Sequence, residues 1–285
     1  MCGVSPAPSS TCQSSGFEGH TDEELGIAVH ETRKSLKRLR ATVRLARDEL
    51  GDELNRRENS AFRDAGRQLA GARDSQVQLE TLDALSERYP DEAPRARFHR
   101  FRGLLPGQYT AAQRRLEHGA AINEVVSELR AARARVPDWP LEPEGFDSLA
   151  PGFRRVYRRG WRDYRAVRRD PSTEALHELR KRVKDLWYAA QVVRPAAPKK
   201  MKRIARRAHA LSNLIGEDHD LAILAQRGAE RRDCFDDDAA VGELAKLIER
   251  RRDELQREAM ELAQRLFRKK PSKLVRPLEQ PHAVA

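Results

Sequence analysis

Proline decides where the helices of this chain can run. It lacks a backbone N–H and its ring clashes with the preceding turn, so it suits a first helical turn and breaks an interior. Here the central prolines fall in clusters: Pro90 and Pro94, Pro106, Pro137 to Pro151, Pro171, then Pro195 and Pro198. Between the clusters apolar residues recur at helical spacing, and no stretch alternates apolar with polar as a strand would. The chain therefore reads as all-α, with helices expected near 22–50, 53–71, 73–88, 108–135, 152–169, 172–194, 198–215, 219–232 and 238–268. The segment "VPDWPLEPEGFDSLAPG" is the strongest break and divides the chain almost in half. Residues 1–20, rich in Ser, Pro and Gly, read as a disordered tail, and 269–285 as a flexible C-terminal tail. The folded region is thus 21–268, with a first half 21–135, a linker 136–151 and a second half 152–268.

The two halves share a motif. "VHETRKSLKRLRATV" begins at Val29 and "LHELRKRVKDLWYAA" at Leu176. At an offset of 147, His30, Glu31, Arg33, Lys34, Lys37 and Leu39 match His177, Glu178, Arg180, Lys181, Lys184 and Leu186. Further on, "QLAGARDSQV" aligns with "LIGEDHDLAI", pairing Asp74 with Asp220 and Arg73 with His219. Equivalent elements in both halves predict a duplication, with a pseudo-twofold axis between two bundles.

At about 100° per residue, His30, Arg33, Lys34, Lys37, Arg40 and Arg44 fill one arc of roughly 120°. Val29, Leu36, Val43, Leu39 and Ala46 fill the next arc, and Glu31 falls on the remaining side. The second copy repeats the division, with His177, Arg180, Lys181 and Lys184 beside Leu176, Leu179, Val183 and Leu186. A solvated helix face mixes acids with bases, because like charges at i, i+4 repel. These arcs hold no acid, which favours a shared anionic partner over mere solvation. On the next helix of the second half, Lys199, Lys202, Arg203, Arg206 and His209 share an arc with Asn213. Its first-half counterpart, Arg56, Arg63 and Arg67 together with Arg57, is interrupted by Asp64. Asp74 and Asp220 fall at expected helix starts, where they would cap or orient a basic neighbour.

Composition points the same way. The net charge is +11 and Arg outnumbers Lys about four to one. Guanidinium forks suit phosphate or carboxylate oxygens, and an excess this large predicts a polyanionic partner. Three cysteines without a CxxC spacing give neither a zinc site nor a disulfide framework. The N-terminus has no signal-peptide pattern and no apolar run reaches membrane-spanning length, so no membrane role and a cytoplasmic location are expected.

The segments "GWRDYRAVRRDPSTEALHELRKRVKDLWYAAQVVRP" and "AVHETRKSLKRLRATVRLAR", with the "GARD" and "GEDHD" turns, resemble the signatures of CHAD domains. The resemblance covers roughly residues 21–268. It implies two four-helix bundles related by a pseudo-twofold axis, with basic helices facing a central cavity or pore, binding of inorganic polyphosphate, and association with polyphosphate granules. It implies no catalytic group, cofactor or metal. Some relatives carry an attached triphosphate-tunnel domain marked by ExExK; that motif is missing here, so a stand-alone binding module is expected. Arg40 stands where the second copy has Trp187, so the two halves need not bind alike.

Three other readings stay open at this point. The pair His219–Asp220 suggests a metal-dependent HD-type phosphohydrolase, with His177 or His209 as further ligands, although the Arg and Lys around it would repel a cation. "HETRK" and "HELRK" lack the second His of a metalloprotease helix. Non-specific nucleic-acid binding fits the charge, yet aromatics are only 6%, few for base stacking, which leaves weak incidental binding. A purely structural helical scaffold is the third.

Overall fold

The computed structural model describes residues 22–69, 74–92, 95–105, 111–141 and 149–275. Ten α-helices are found in this set: α1 Asp22–Leu45, α2 Arg47–Gln68, α3 Asp74–Arg88, α4 His99–Leu104, α5 Ala111–Arg135, α6 Ala150–Arg169, α7 Thr173–Val192, α8 Pro198–Glu230, α9 Asp238–Leu266 and α10 Pro271–Val275. No strand occurs among the described residues, so the protein is all-α. Local chemistry explains several ends. Ser172 caps α7 by accepting from the Ala175 N–H at 3.1 Å, and Asp237 caps α9 by accepting from Ala240 at 2.8 Å. Pro198 opens α8, where a missing N–H costs nothing.

The apolar arcs bury as the periodicity requires, but they do so in three clusters. The largest joins α6, α7, the first half of α8 and the end of α9, and includes Phe153, Tyr157, Leu179, Leu186, Met201 and Leu211. A second joins α3 and α4 to the later part of α8 and the start of α9, through Leu82, Phe101, Leu224 and Leu255. The third holds α1, α2 and α5 together through Leu36, Val43, Phe62 and Val125. Helices α3 and α4 of the first half therefore pack on the second half. Leu45 at the end of α1 also reaches the largest cluster. There Gly152 lets α6 approach, since a Cβ at that position would fall 2.0 Å from the Leu45 carbonyl oxygen.

Several boundaries differ from expectation. The helix expected over 22–50 ends at Leu45, and the chain turns at Ala46 before bending again at Gly51, whose φ of 75° only glycine adopts readily. Buried Asn55 stabilises this corner by donating to the Val43 carbonyl at 2.6 Å, one of the oxygens a helix end leaves unpaired. The two helices expected over 198–215 and 219–232 are one uninterrupted α8. "GEDHD" looked like a stop because Gly and Asp favour turns. Instead Asp218 is buried and accepts from Arg252 at 3.0 Å and Gln256 at 2.8 Å. Asp220 consequently lies within the helix and not at its start, whereas Asp74 does open α3. The expected C-terminal tail starts with α10, whose Leu274 is buried against the large cluster. Short α4 and the 3-10 turn Arg95–Phe98 before it fill a stretch that read only as proline-rich. The N-terminal tail 1–20, residues 142–148 of the linker, Arg73 and the end of the C-terminal tail lie outside the described residues, as does the Asp74 side chain.

Candidate functional site

The basic arcs occupy two surfaces. On the first, α1 and α2 bring Arg40, Arg44, Arg63 and Arg67 together. Half-buried Arg40 donates from Nε to Asn59 Oδ1 at 3.3 Å. Burial lowers its pKa and nearby Arg44, Arg63 and Arg67 push the same way, while Asp185 opposes them. Carboxylates occupy most of the wall. Arg44 Nη2 lies 2.6 Å from Asp185 of α7, and Arg63 makes a two-point contact with Asp64 at 2.9 and 3.1 Å. Arg67 reaches the same Asp64 at 3.4 Å, and Lys34 lies 2.8 Å from Glu31. Arg56 and Lys37 are exposed, while His30 and Arg33 are half-buried. The helical wheel isolated arcs without acids, but partners on the neighbouring turn and on α7 supply them. Asp185 is held against its own burial, which raises its pKa even though Arg44, Arg182, Arg40 and Arg159 pull it down.

The second surface lies on α7 and α8. The His177 and His219 rings are 4.7 Å apart. Arg180 lies across Gly216, where a Cβ would come within 3.0 Å of Nη2, so the absence of a side chain makes room for the guanidinium. Three nitrogens here are buried without a protein partner: His177 Nδ1, His219 Nδ1 and Arg180 Nε. Burial lowers the pKa of both imidazoles. Lys181 adds to this at His177, and Arg180 at His219. His219, which the sequence had marked as the counterpart of Arg73 and as a metal candidate but not as a phosphate contact, thus belongs with His177.

Arg180 and Lys184 also line a cavity of about 360 Å³ between α3, α7 and α8, with Ser212 and Asn213 on its α8 wall. Glu80, Glu217 and Asp220 share the lining, and its Arg251 is engaged by Glu217 at 2.7 Å. Lys181 pairs with Glu178 at 2.6 Å, in the register of Lys34 and Glu31.

Along α8, Lys199, Lys202 and Arg206 are exposed. None of them has a carboxylate within ion-pair distance among the described residues. His209 continues the row, with its ring 4.2 Å from that of Trp187 on α7. From Lys199 to Asn213 the row runs ~21 Å along the helix axis and ends at the cavity. Arg203, expected in this row, lies at the edge of its arc. It lines a different cavity on the other side of α8 together with Lys200 and Arg207.

The structure therefore brings together most of the expected second-half cations and, separately, four first-half arginines. Among the described residues no group of three or more His, Cys, Asp or Glu is placed to hold a metal ion, so His219 and Asp220 gain no further ligand. No helix among the described residues is long and apolar enough to cross a membrane. A family model described as "CHAD domain" matches residues 19–229, reaching the last turn of α8. No curated protein and no solved structure matches the chain.

Proposed function

The chain belongs to the CHAD domain family, and on that premise we propose that it binds inorganic polyphosphate and through it joins polyphosphate granules. The observation that carries this reading is the row on α8: Lys199, Lys202 and Arg206 on successive turns, exposed and unpaired among the described residues, leading to His209 and the cavity at Arg180 and Lys184. A linear polyanion has no bases to read. It needs charge and N–H donors repeated along a line, and each phosphate contact releases condensed counterions. The two-sided cluster of first-half arginines supplies a further contact whose strength is reduced by Asp64 and Asp185. The basic motif recurs once in each half, and the functional unit in this reading is a binding module rather than a catalyst. Nucleic acid is the weaker ligand in this reading, because the Trp187 ring is already stacked on Tyr188 at 4.6 Å and packed against His209.

Titrating long-chain polyphosphate and orthophosphate at one stated salt concentration tests the proposal. Long chains should bind at least a hundredfold more tightly, because contacts made by one chain share a single association cost. Affinity should also fall linearly in log–log form as salt rises. Equal affinities for the two ligands would overturn it in favour of a small-anion site.

A further inference from the structure

The second cavity touching α8 shares only that helix with the polyphosphate row. It has a volume of about 250 Å³ and lies between the first turns of α8, the end of α9 and α10. Six cations line it: Lys200, Arg203, Arg207, Arg265, Arg268 and Lys269. Among the described residues the remaining lining is apolar, formed by Ile204, Leu266 and Leu274, with no carboxylate. Residues 200, 203, 204 and 207 fall on one side of α8, about half a turn round from 212, 213, 216 and 220, which line the first cavity.

Two of the six heads are fixed by the backbone. Lys200 Nζ donates to the Leu274 carbonyl, tying α10 to α8, and Arg207 Nη1 donates to the Arg265 carbonyl at 3.3 Å. Arg265 has one carboxylate near it, exposed Glu261 at 3.6 Å. Burial lowers the Lys200 pKa, and neighbouring Lys269 and Arg203 push it further down. Cations gathered in a concave site without an internal counter-charge repel one another, and an oxyanion entering the site would relieve that repulsion. The volume is below the ~300–1,000 Å³ of pockets that take drug-sized ligands, so the space suits a compact anion. Arg265, Arg268, Lys269 and α10 also lie beyond the segment that matches the family.

We propose that this cavity is a second, separate anion site, which takes a compact phosphoryl group such as pyrophosphate or the end of a phosphate chain. Arg265, Arg268 and Lys269 approach the ligand from α9 and the loop after it, while Arg203 and Arg207 face it from α8.

Calorimetric titration of the full chain with pyrophosphate tests this. The triple variant Arg265→Gln, Arg268→Gln, Lys269→Gln should bind pyrophosphate at least tenfold more weakly than wild type. Lys199→Gln, Lys202→Gln, Arg206→Gln should weaken pyrophosphate binding by no more than about threefold, since those exposed side chains leave α8 on a neighbouring arc and act on the cavity only through a field that water and salt screen. Unchanged long-chain affinity in the first triple variant assigns the site to free small anions. A long-chain affinity that falls, with pyrophosphate competing, assigns it to chain ends. No pyrophosphate binding by wild type, or equal binding by wild type and the first variant, overturns the proposal whatever the α8 row does. Should the first variant melt early, acylation of Lys269 in wild type gives an independent reading. Pyrophosphate should slow it several-fold, and an unchanged rate would sink the site.

Discussion

The α1–α2 surface and the α7–α8 surface carry the same repeated motif and nearly the same cations, but their charges are not equally available. On α1 and α2, Arg44 is matched by Asp185, Arg63 and Arg67 by Asp64, and Lys34 by Glu31. On α8, Lys199, Lys202 and Arg206 have no such partner among the described residues. The lesson is that helical phase finds a basic face, whereas its capacity for a ligand depends on carboxylates that other turns and other helices bring to it.

The largest effect should come from setting one surface against the other. Replacing Lys199, Lys202 and Arg206 with Gln should weaken long-chain polyphosphate roughly 10- to 100-fold, from three contacts at about 0.5–1 kcal/mol each. The matching first-half set, Lys34, Arg63 and Arg67, should lose less than about threefold, because Lys34 is paired with Glu31 and the two arginines share Asp64. Coincident binding curves for the two variants would erase the distinction and leave only generic basicity. An intermediate effect is expected from releasing the first-half arginines. Asp64→Asn with Asp185→Asn should tighten polyphosphate about three- to tenfold by freeing Arg63, Arg67 and Arg44. Burial has raised the pKa of Asp185, so its charged form works against folding above that raised value. Asp185→Asn alone should therefore melt no lower at pH 7 than wild type; a clear drop in Tm would mean that the Arg44–Asp185 contact holds α1 to α7.

The smallest effect concerns pH. His177 and His219 have pKa values below the ordinary ~6.5, so the unfolded chain takes up protons first as pH falls. Their contribution to stability is complete above about pH 6.5 and is lost as pH drops through that value towards the lowered ones. A polyanion beside them would raise both values, so binding should strengthen on acidification below about pH 6.5 rather than across the 6–7 window of ordinary histidines. Tm differences between pH 7.5 and 5.5 should shrink in His177→Gln with His219→Gln, by about 2 °C or less. A profile unchanged by the double substitution would remove the pair from any pH response.

Much of the fold was legible because proline and apolar period act locally. Helices α6, α7 and α9 begin and end within about two residues of where those signals put them, the usual scatter at helix ends. What was hidden depends on long-range packing. Gly216 and Asp218 carry turn chemistry in the sequence, and only Arg180 and Arg252 reaching over from other helices turn that stretch into mid-helix. Nothing local says that α3 packs on α8, since Leu82 and Leu85 meet Leu221 and Leu224 across more than a hundred residues. The candidate site was legible as a set of faces. Its edges were not: Arg203 sits at the border of the α8 row, and its side chain lines the second cavity instead. Asp185 was invisible as a partner of Arg44 because they belong to different halves.

The unbroken α8 also sets how the molecule comes apart. Leu211 and Ile215 belong to one apolar cluster, Leu221 and Leu224 to the next, and α9 bridges the same two through Leu255 and Ala259. Neither cluster can open while the other stays shut without snapping both helices, so the two form one cooperative unit in hydrogen exchange. The amides in the middle of α8 and α9 should accordingly exchange only through global opening, whereas α5, whose described apolar residues pack in the third cluster, should exchange independently of that unit. A polyanion clasped along α8 thereby grips the last part of the protein to unfold.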